Sequence, residues 1–139
     1  MILFIDDEKK YVDNIITELE LLHVRLRFCS DVDVALKILA ECEESCEGII
    51  CDVMMPHGSA FSIGETEENR TTGTLFLKRI RGMGISLPVV LLTNVERNYR
   101  HNLQIEEAAS SSPPCIIIRK RQHASFEVAE MIVEFFKNQ

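Results

Sequence analysis

Acidic, hydroxyl and basic side chains follow directly on short apolar runs in this chain, and together they suggest one reaction. Residues 2–5 lead into Asp6, Asp7 and Glu8, residues 49–51 into Asp52, residues 89–92 into Thr93 and Asn94, and residues 115–118 into Arg119, Lys120 and Arg121. Clustered carboxylates repel one another and resist desolvation, so a fold keeps several together chiefly when a cation holds them. Oxygen donors without imidazole point to Mg²⁺. A carboxylate beside Mg²⁺ and a lysine has what phosphoryl transfer needs: a nucleophile, and two positive groups for the charge on the transferring oxygens. Acyl transfer is disfavoured by the lack of a Gly-x-Ser-x-Gly elbow, and nucleotide binding by the lack of a Gly-rich phosphate loop.

These residues meet only if the apolar runs are parallel strands, because the crevice of such a sheet lies beyond its carboxyl ends. The periodicity supports that arrangement. Residues 2–5, 49–51 and 89–92 are continuous apolar runs, as expected of interior strands covered on both faces. Val24, Leu26 and Phe28 alternate with Arg25 and Arg27, which suits an edge strand, and Pro113 and Pro114 introduce the fifth run. Helical stripes lie between them: Val12, Ile15, Ile16, Leu19 and Leu22; Ala35, Ile38, Leu39 and Cys42; Phe76, Leu77, Ile80 and Met83; Val128, Met131, Ile132 and Phe135, with Ser125 as the expected cap. Within residues 95–112, Val95, Tyr99 and Leu103 suggest a short, poorly anchored fourth helix. The pattern predicts an α/β fold around a mostly parallel sheet.

At 139 residues the chain suits one domain, and 46% hydrophobic with 27% charged residues excludes a disordered tail or a coiled coil. No apolar run approaches the ~20 residues of a membrane span. A net charge of −7 repels a phosphate backbone, so a basic protein or a divalent cation is a better partner than nucleic acid. The five cysteines (29, 42, 46, 51 and 115) form no Cys-x-x-Cys pair and read as reduced thiols filling a core in a cytoplasmic protein. The four histidines read as surface or loop residues, His57 alone being near the expected mouth. Residues 57–72 form a long, polar, irregular segment, and loops of that length are usually functional or mobile.

Asp6-Asp7-Glu8, Asp52-Val53-Met54-Met55-Pro56, Leu87-Pro88 with the run to Thr93, and Lys120, in that order, resemble the receiver domain of two-component response regulators. The resemblance spans nearly the whole chain. It implies a doubly wound, five-stranded parallel sheet of order 2-1-3-4-5 in three layers, as one receiver domain over 1–139 without an output domain. Asp52 would accept a phosphoryl group from a phosphohistidine on a sensor histidine kinase or phosphotransfer protein. Asp6, Asp7, Asp52 and the backbone carbonyl of Met54 would hold Mg²⁺, and Thr93 and Lys120 would bond the phosphoryl oxygens. The resemblance implies no chemistry beyond self-catalysed phosphorylation and dephosphorylation of Asp52, and output through an unknown downstream protein.

Several positions depart from that pattern. The glycine that starts the third helix is Gly73, delayed by the 57–72 segment, which could gate Asp52, bind a partner or be a neutral insertion. Arg121 replaces the proline after the lysine, although Lys120 should still reach inward. Ile117 stands where many receivers carry a switching aromatic, and Asn94 where a small residue is usual, so the familiar threonine-to-aromatic coupling is unsupported. Met54 and Val95, both apolar, flank the expected path of a hydrolytic water. A haloacid-dehalogenase-type phosphatase also uses an aspartyl nucleophile but wants a second aspartate at 54. The stronger rival is a receiver-like interaction module that works without phosphorylation.

Overall fold

The computed structural model describes residues 1–96 and 99–139. Five strands, β1 (Ile2–Ile5), β2 (Leu26–Cys29), β3 (Gly48–Asp52), β4 (Val89–Thr93) and β5 (Cys115–Arg119), form one parallel sheet of order 2-1-3-4-5. The helices α1 (Asp13–Leu21), α2 (Val32–Cys42), α3 (Thr72–Gly82), α4 (Asn102–Ser111) and α5 (Ser125–Lys137) are the crossovers. The topology is the expected one.

Strand side chains alternate between the two faces of the sheet, and so divide the apolar residues into two cores. Leu3, Ile5, Ile49, Cys51, Val89 and Leu91 pack under α2, α3 and α4. Ile2, Phe4, Ile50, Val90 and Leu92 pack under α1 and α5. Burial on both faces explains the unbroken apolar runs of β1, β3 and β4. Along β2 and just before it, Arg25 and Arg27 are exposed while Leu26 and Phe28 are half-buried, as their alternation requires.

The helical stripes hold at most of their positions and fail at a few. Leu22, Met83, Met131 and Leu103 are exposed, Leu103 at 76%. The α4 face is instead Ile105, Ala108 and Ala109, and the helix is well anchored by a buried arginine rather than loosely held. Positions 97 and 98 of the expected 95–112 helix lie outside the described residues. At α5, Ser125 is the first helical residue and not the cap. Ala124 precedes it, and its N–H donates to the Glu127 carboxylate at 3.0 Å, the half of a capping box that needs no side chain on the cap residue.

The segment from His57 to Thr71 is folded. Its base is closed by the His57 N–H donating to Asn69 Oδ1 at 2.9 Å and the Gly73 N–H donating to the Val53 carbonyl at 2.9 Å. Glu67, Glu68 and Asn69 run left-handed through the return, with φ of 51°, 60° and 68°. The Asp33 carboxylate accepts from the N–H groups of Ser59 (2.7 Å) and Ala60 (2.9 Å), fastening the segment to α2. Phe61 is buried beneath the Arg79 guanidinium of α3, 5.2 Å from its ring. This is an Ω-like loop packed by its own side chains.

Candidate functional site

Asp6 follows β1 without a break: its N–H donates to the Cys29 carbonyl at 3.1 Å, and its Oδ1 accepts from the Glu8 N–H at 2.9 Å. The residue is 2% exposed, and its Oδ2 has no hydrogen-bond donor among the described residues. The Lys120 ammonium faces that oxygen at 3.7 Å, beyond hydrogen-bonding distance. Asp52 ends β3, and its Oδ1 accepts from the Val53 N–H at 2.8 Å, which leaves Oδ2 for other chemistry. Asp6, Asp7 and Asp52 each offer a carboxylate oxygen, all within 4.8 Å of one another. Thr93 ends β4, fully buried, and its hydroxyl oxygen accepts from the Val95 N–H at 3.0 Å.

The parallel register makes this convergence obligatory. Ile5 pairs with Cys51 and Asp52 with Leu92, so the residues just past β1, β3 and β4 stand side by side. Lys120 opens a short turn after β5 and extends its side chain inward despite Arg121 behind it. Gly73 sets the height of Asp52. A Cβ at Gly73 would run into the Asp52 carbonyl oxygen and come within 2.7 Å of the Val53 Cα, so only glycine lets α3 start against the end of β3.

Asp6, Asp7, Asp52, Thr93 and Lys120 line one cavity of about 180 Å³, with Glu8, Tyr11, Met54 and Asn94 at its walls. Of the residues singled out from the sequence, Arg119, Arg121 and Val95 do not line it. Tyr11 was not foreseen, since an exposed tyrosine ahead of an amphipathic helix carries no signal of its own. No residue of the 57–71 loop lines the cavity, so gating of Asp52 by that loop has no support in the geometry. Val95 is buried and Met54 is 42% exposed.

Burial is the first cause that raises the carboxyls of Asp6 and Asp7 above the ordinary range. For Asp6 the Glu8 N–H and Lys120 oppose it; for Asp7 the charge of Asp6 adds to it. Asp52 is pushed up to about 7 by burial, with Asp6 and Asp7 adding and Lys120 pulling down. An orphaned buried oxygen, three carboxylates in reach of one point, and no imidazole or thiolate among them fit a hard divalent cation such as Mg²⁺. The cysteines stand apart: all five are free, and burial raises Cys29 to about 11 and Cys115 to about 12, so both remain protonated thiols.

Within Arg119-Lys120-Arg121, Arg119 is buried and bonded to the Val95 carbonyl and Asn102, Lys120 is half-buried, and Arg121 is exposed. One expectation needs correction: His101 is not a surface residue. It is buried against Tyr99, with Nδ1 3.2 Å from the Glu67 carboxylate. Arg119 meets Asn102 and Glu106 of α4, and His101 faces Glu67 of the 57–71 loop.

No family model and no curated protein matches the sequence. Among solved structures, the receiver domain of the Francisella response regulator 1452 superimposes with a TM-score of 0.69 at 23% identity, covering 99% of this chain and 96% of that one. The receiver domain of NtrX from Brucella abortus gives 0.73 at 18% identity, with full coverage of both chains. The fold is that of response regulator receiver domains. The isolated receiver domain of RcsB from Salmonella enterica serovar Typhimurium, determined in the presence of the phosphomimetic BeF3⁻, shares it at 0.71 and 20% identity, over 99% and 88% of the chains. On this receiver fold the acidic cavity sits at the carboxyl end of the sheet.

Proposed function

We propose that residues 1–139 act as one response regulator receiver domain, accepting a phosphoryl group on Asp52 from a phosphohistidine of a sensor kinase or phosphotransfer protein. The observation that carries this is the set of three carboxylates within one cation's reach, one with a buried oxygen that lacks a donor, on a receiver fold. Asp6, Asp7, Asp52 and the Met54 carbonyl are the proposed Mg²⁺ ligands, and the ion supplies positive charge to the transferring phosphoryl oxygens. A carboxylate oxygen of Asp52 attacks phosphorus, the phosphorus–nitrogen bond of the donor breaks, the imidazole leaves, and an acyl phosphate remains. Lys120 presents its ammonium to one phosphoryl oxygen. The Thr93 hydroxyl, whose oxygen accepts from the Val95 N–H before phosphorylation, has its proton available to donate to another.

The new charge is stabilised by contacts that exist only in the phosphorylated arrangement, so it shifts an equilibrium between two states of the domain and alters binding of a downstream protein. Among the described residues no helix is long and apolar enough to cross a membrane. Incubation with Mg²⁺ and acetyl phosphate followed by intact-mass analysis tests the reading. One phosphoryl adduct is expected, lost with EDTA and lost in Asp52→Ala. No adduct, from acetyl phosphate or from a phosphorylated histidine donor, leaves a phosphorylation-independent interaction module as the better account.

A further inference from the structure

Val95 is held from both sides. Its N–H donates to the Thr93 hydroxyl at 3.0 Å, and its carbonyl accepts from the Arg119 guanidinium at 2.8 Å. The same guanidinium donates through Nη2 to Asn102 Oδ1 at 2.6 Å and lies 3.4 Å from Glu106 Oε1, on the first two turns of α4. Arg119 is 8% exposed, so water does not replace a lost partner readily. Its planar fork also fixes the relative positions of the groups it binds. A shift of the Val95 carbonyl therefore either drags the guanidinium or breaks a buried charged hydrogen bond.

The first turn of α4 is tied onward to the 57–71 loop. His101 immediately precedes Asn102; its Nδ1 lies 3.2 Å from Glu67 Oε2 and 3.1 Å from Gln104 Oε1, and its Nε2 accepts from Arg100 Nε at 3.1 Å. A connected series thus runs from the acidic cavity through Thr93, Val95, Arg119 and the Asn102–His101 turn to Glu67. At position 117, where the receiver resemblance places an aromatic, an isoleucine is packed against the core and offers no ring to follow Thr93.

We propose that Arg119 is the positioning residue through which a displacement of Thr93 reaches α4 and the 57–71 loop. The physiological trigger rests on the phosphorylation of Asp52 proposed above: a Thr93 hydroxyl drawn to a phosphoryl oxygen gives up the Val95 N–H. Val95 then moves, Arg119 follows its carbonyl, Asn102 loses its donor, and the Glu67–His101 contact opens with the turn. The face that phosphorylation alters is accordingly the one made by α4 and the loop.

Segment-resolved amide hydrogen exchange on wild type, Thr93→Val, Arg119→Met and the double variant tests the link without any phosphoryl group. Thr93→Val releases the Val95 N–H. With Arg119 present, it is expected to speed exchange in residues 102–106 and 62–69 by roughly two- to tenfold, the size of one net hydrogen bond. In the Arg119→Met background it adds nothing, and Arg119→Lys, which keeps the charge and loses the fork, falls between. Asn102→Ala cuts the same link from the helix side and reduces the coupling in the same way, with β1 and β3 exchange unchanged as the measure of an intact fold. Equal Thr93→Val effects with and without Arg119, or full coupling in Asn102→Ala, overturn the proposal. With acetyl phosphate, wild type and Arg119→Met take up the same adduct, but only wild type changes in residues 57–71; an equal response in both also overturns it. Absence of any adduct withdraws the phosphorylation reading, and the Thr93–Arg119 cycle then decides the role of Arg119.

Discussion

Replacing Asp52 with asparagine should stabilise the metal-free protein, and by an amount that depends on pH. In the folded chain burial holds the Asp52 carboxyl up to about 7, against an ordinary value of 3.8. Below pH 4 the carboxyl is protonated in both states and contributes nothing. As pH rises from 4 to 7 the unfolded chain loses this proton while the folded chain retains it, so stability falls; above 7 the full penalty is present. A displacement of that size corresponds to about 4 kcal/mol. Solvent that reaches the half-buried carboxylate reduces it to about 2–3 kcal/mol. Asparagine keeps the shape and an acceptor for the Val53 N–H without the charge. Urea unfolding in EDTA at half-unit steps from pH 4.5 to 8.5 should therefore show the two proteins converging at the acid end and Asp52→Asn the more stable by about 2–3 kcal/mol at pH 8. Mg²⁺ in millimolar excess should close part of that gap by stabilising wild type more, since the variant has lost one carboxylate ligand. A gap that is absent at pH 8, or that does not change with pH, would refute the reasoning.

Gly73→Ala places a Cβ against the Asp52 carbonyl and the Val53 Cα, both backbone and unable to yield cheaply; it should lower stability by about 2–3 kcal/mol in urea unfolding and reduce the yield of phosphoryl adduct in proportion to the displaced Asp52. Met54→Asn adds a polar group at the mouth that can orient a hydrolytic water, so the phosphoryl lifetime followed by intact mass should shorten about two- to tenfold; a longer lifetime counts against the idea that the apolar Met54 leaves that water unoriented. Asp33→Ala removes the acceptor for the Ser59 and Ala60 N–H groups and frees that end of the loop. Limited proteolysis should then cut within residues 58–64 several times faster, with adduct formation on Asp52 unchanged because the loop does not line the cavity.

The fold was legible because its signals are local. Unbroken apolar runs at 2–5, 49–51 and 89–92 mark strands covered on both faces, and stripes such as Ala35, Ile38 and Leu39 mark the helices that cover them. Stripe margins were less legible: Leu22, Met83 and Leu103 continue a helical spacing past the point where a neighbouring element exists to bury them. The side chains of the candidate site were legible for a related reason. In a parallel sheet the residue after each strand must sit at one end, so Asp6, Asp52, Thr93 and Lys120 were brought together by chain order once the strands were known.

Which polar residues lose contact with water is a different matter, and only the packed structure decided it. Arg119 and Arg121 are the same residue type two positions apart, yet one is buried against Asn102 and Val95 and the other is exposed. His101 and His23 differ in the same way. The 57–71 segment reads as polar and irregular, and becomes an ordered loop because Asp33 and Arg79, distant in sequence, supply its missing partners. Hydrophobic periodicity records how one element meets the core. The burial of a charge depends on what packs across it from elsewhere in the chain, and no local pattern carries that information.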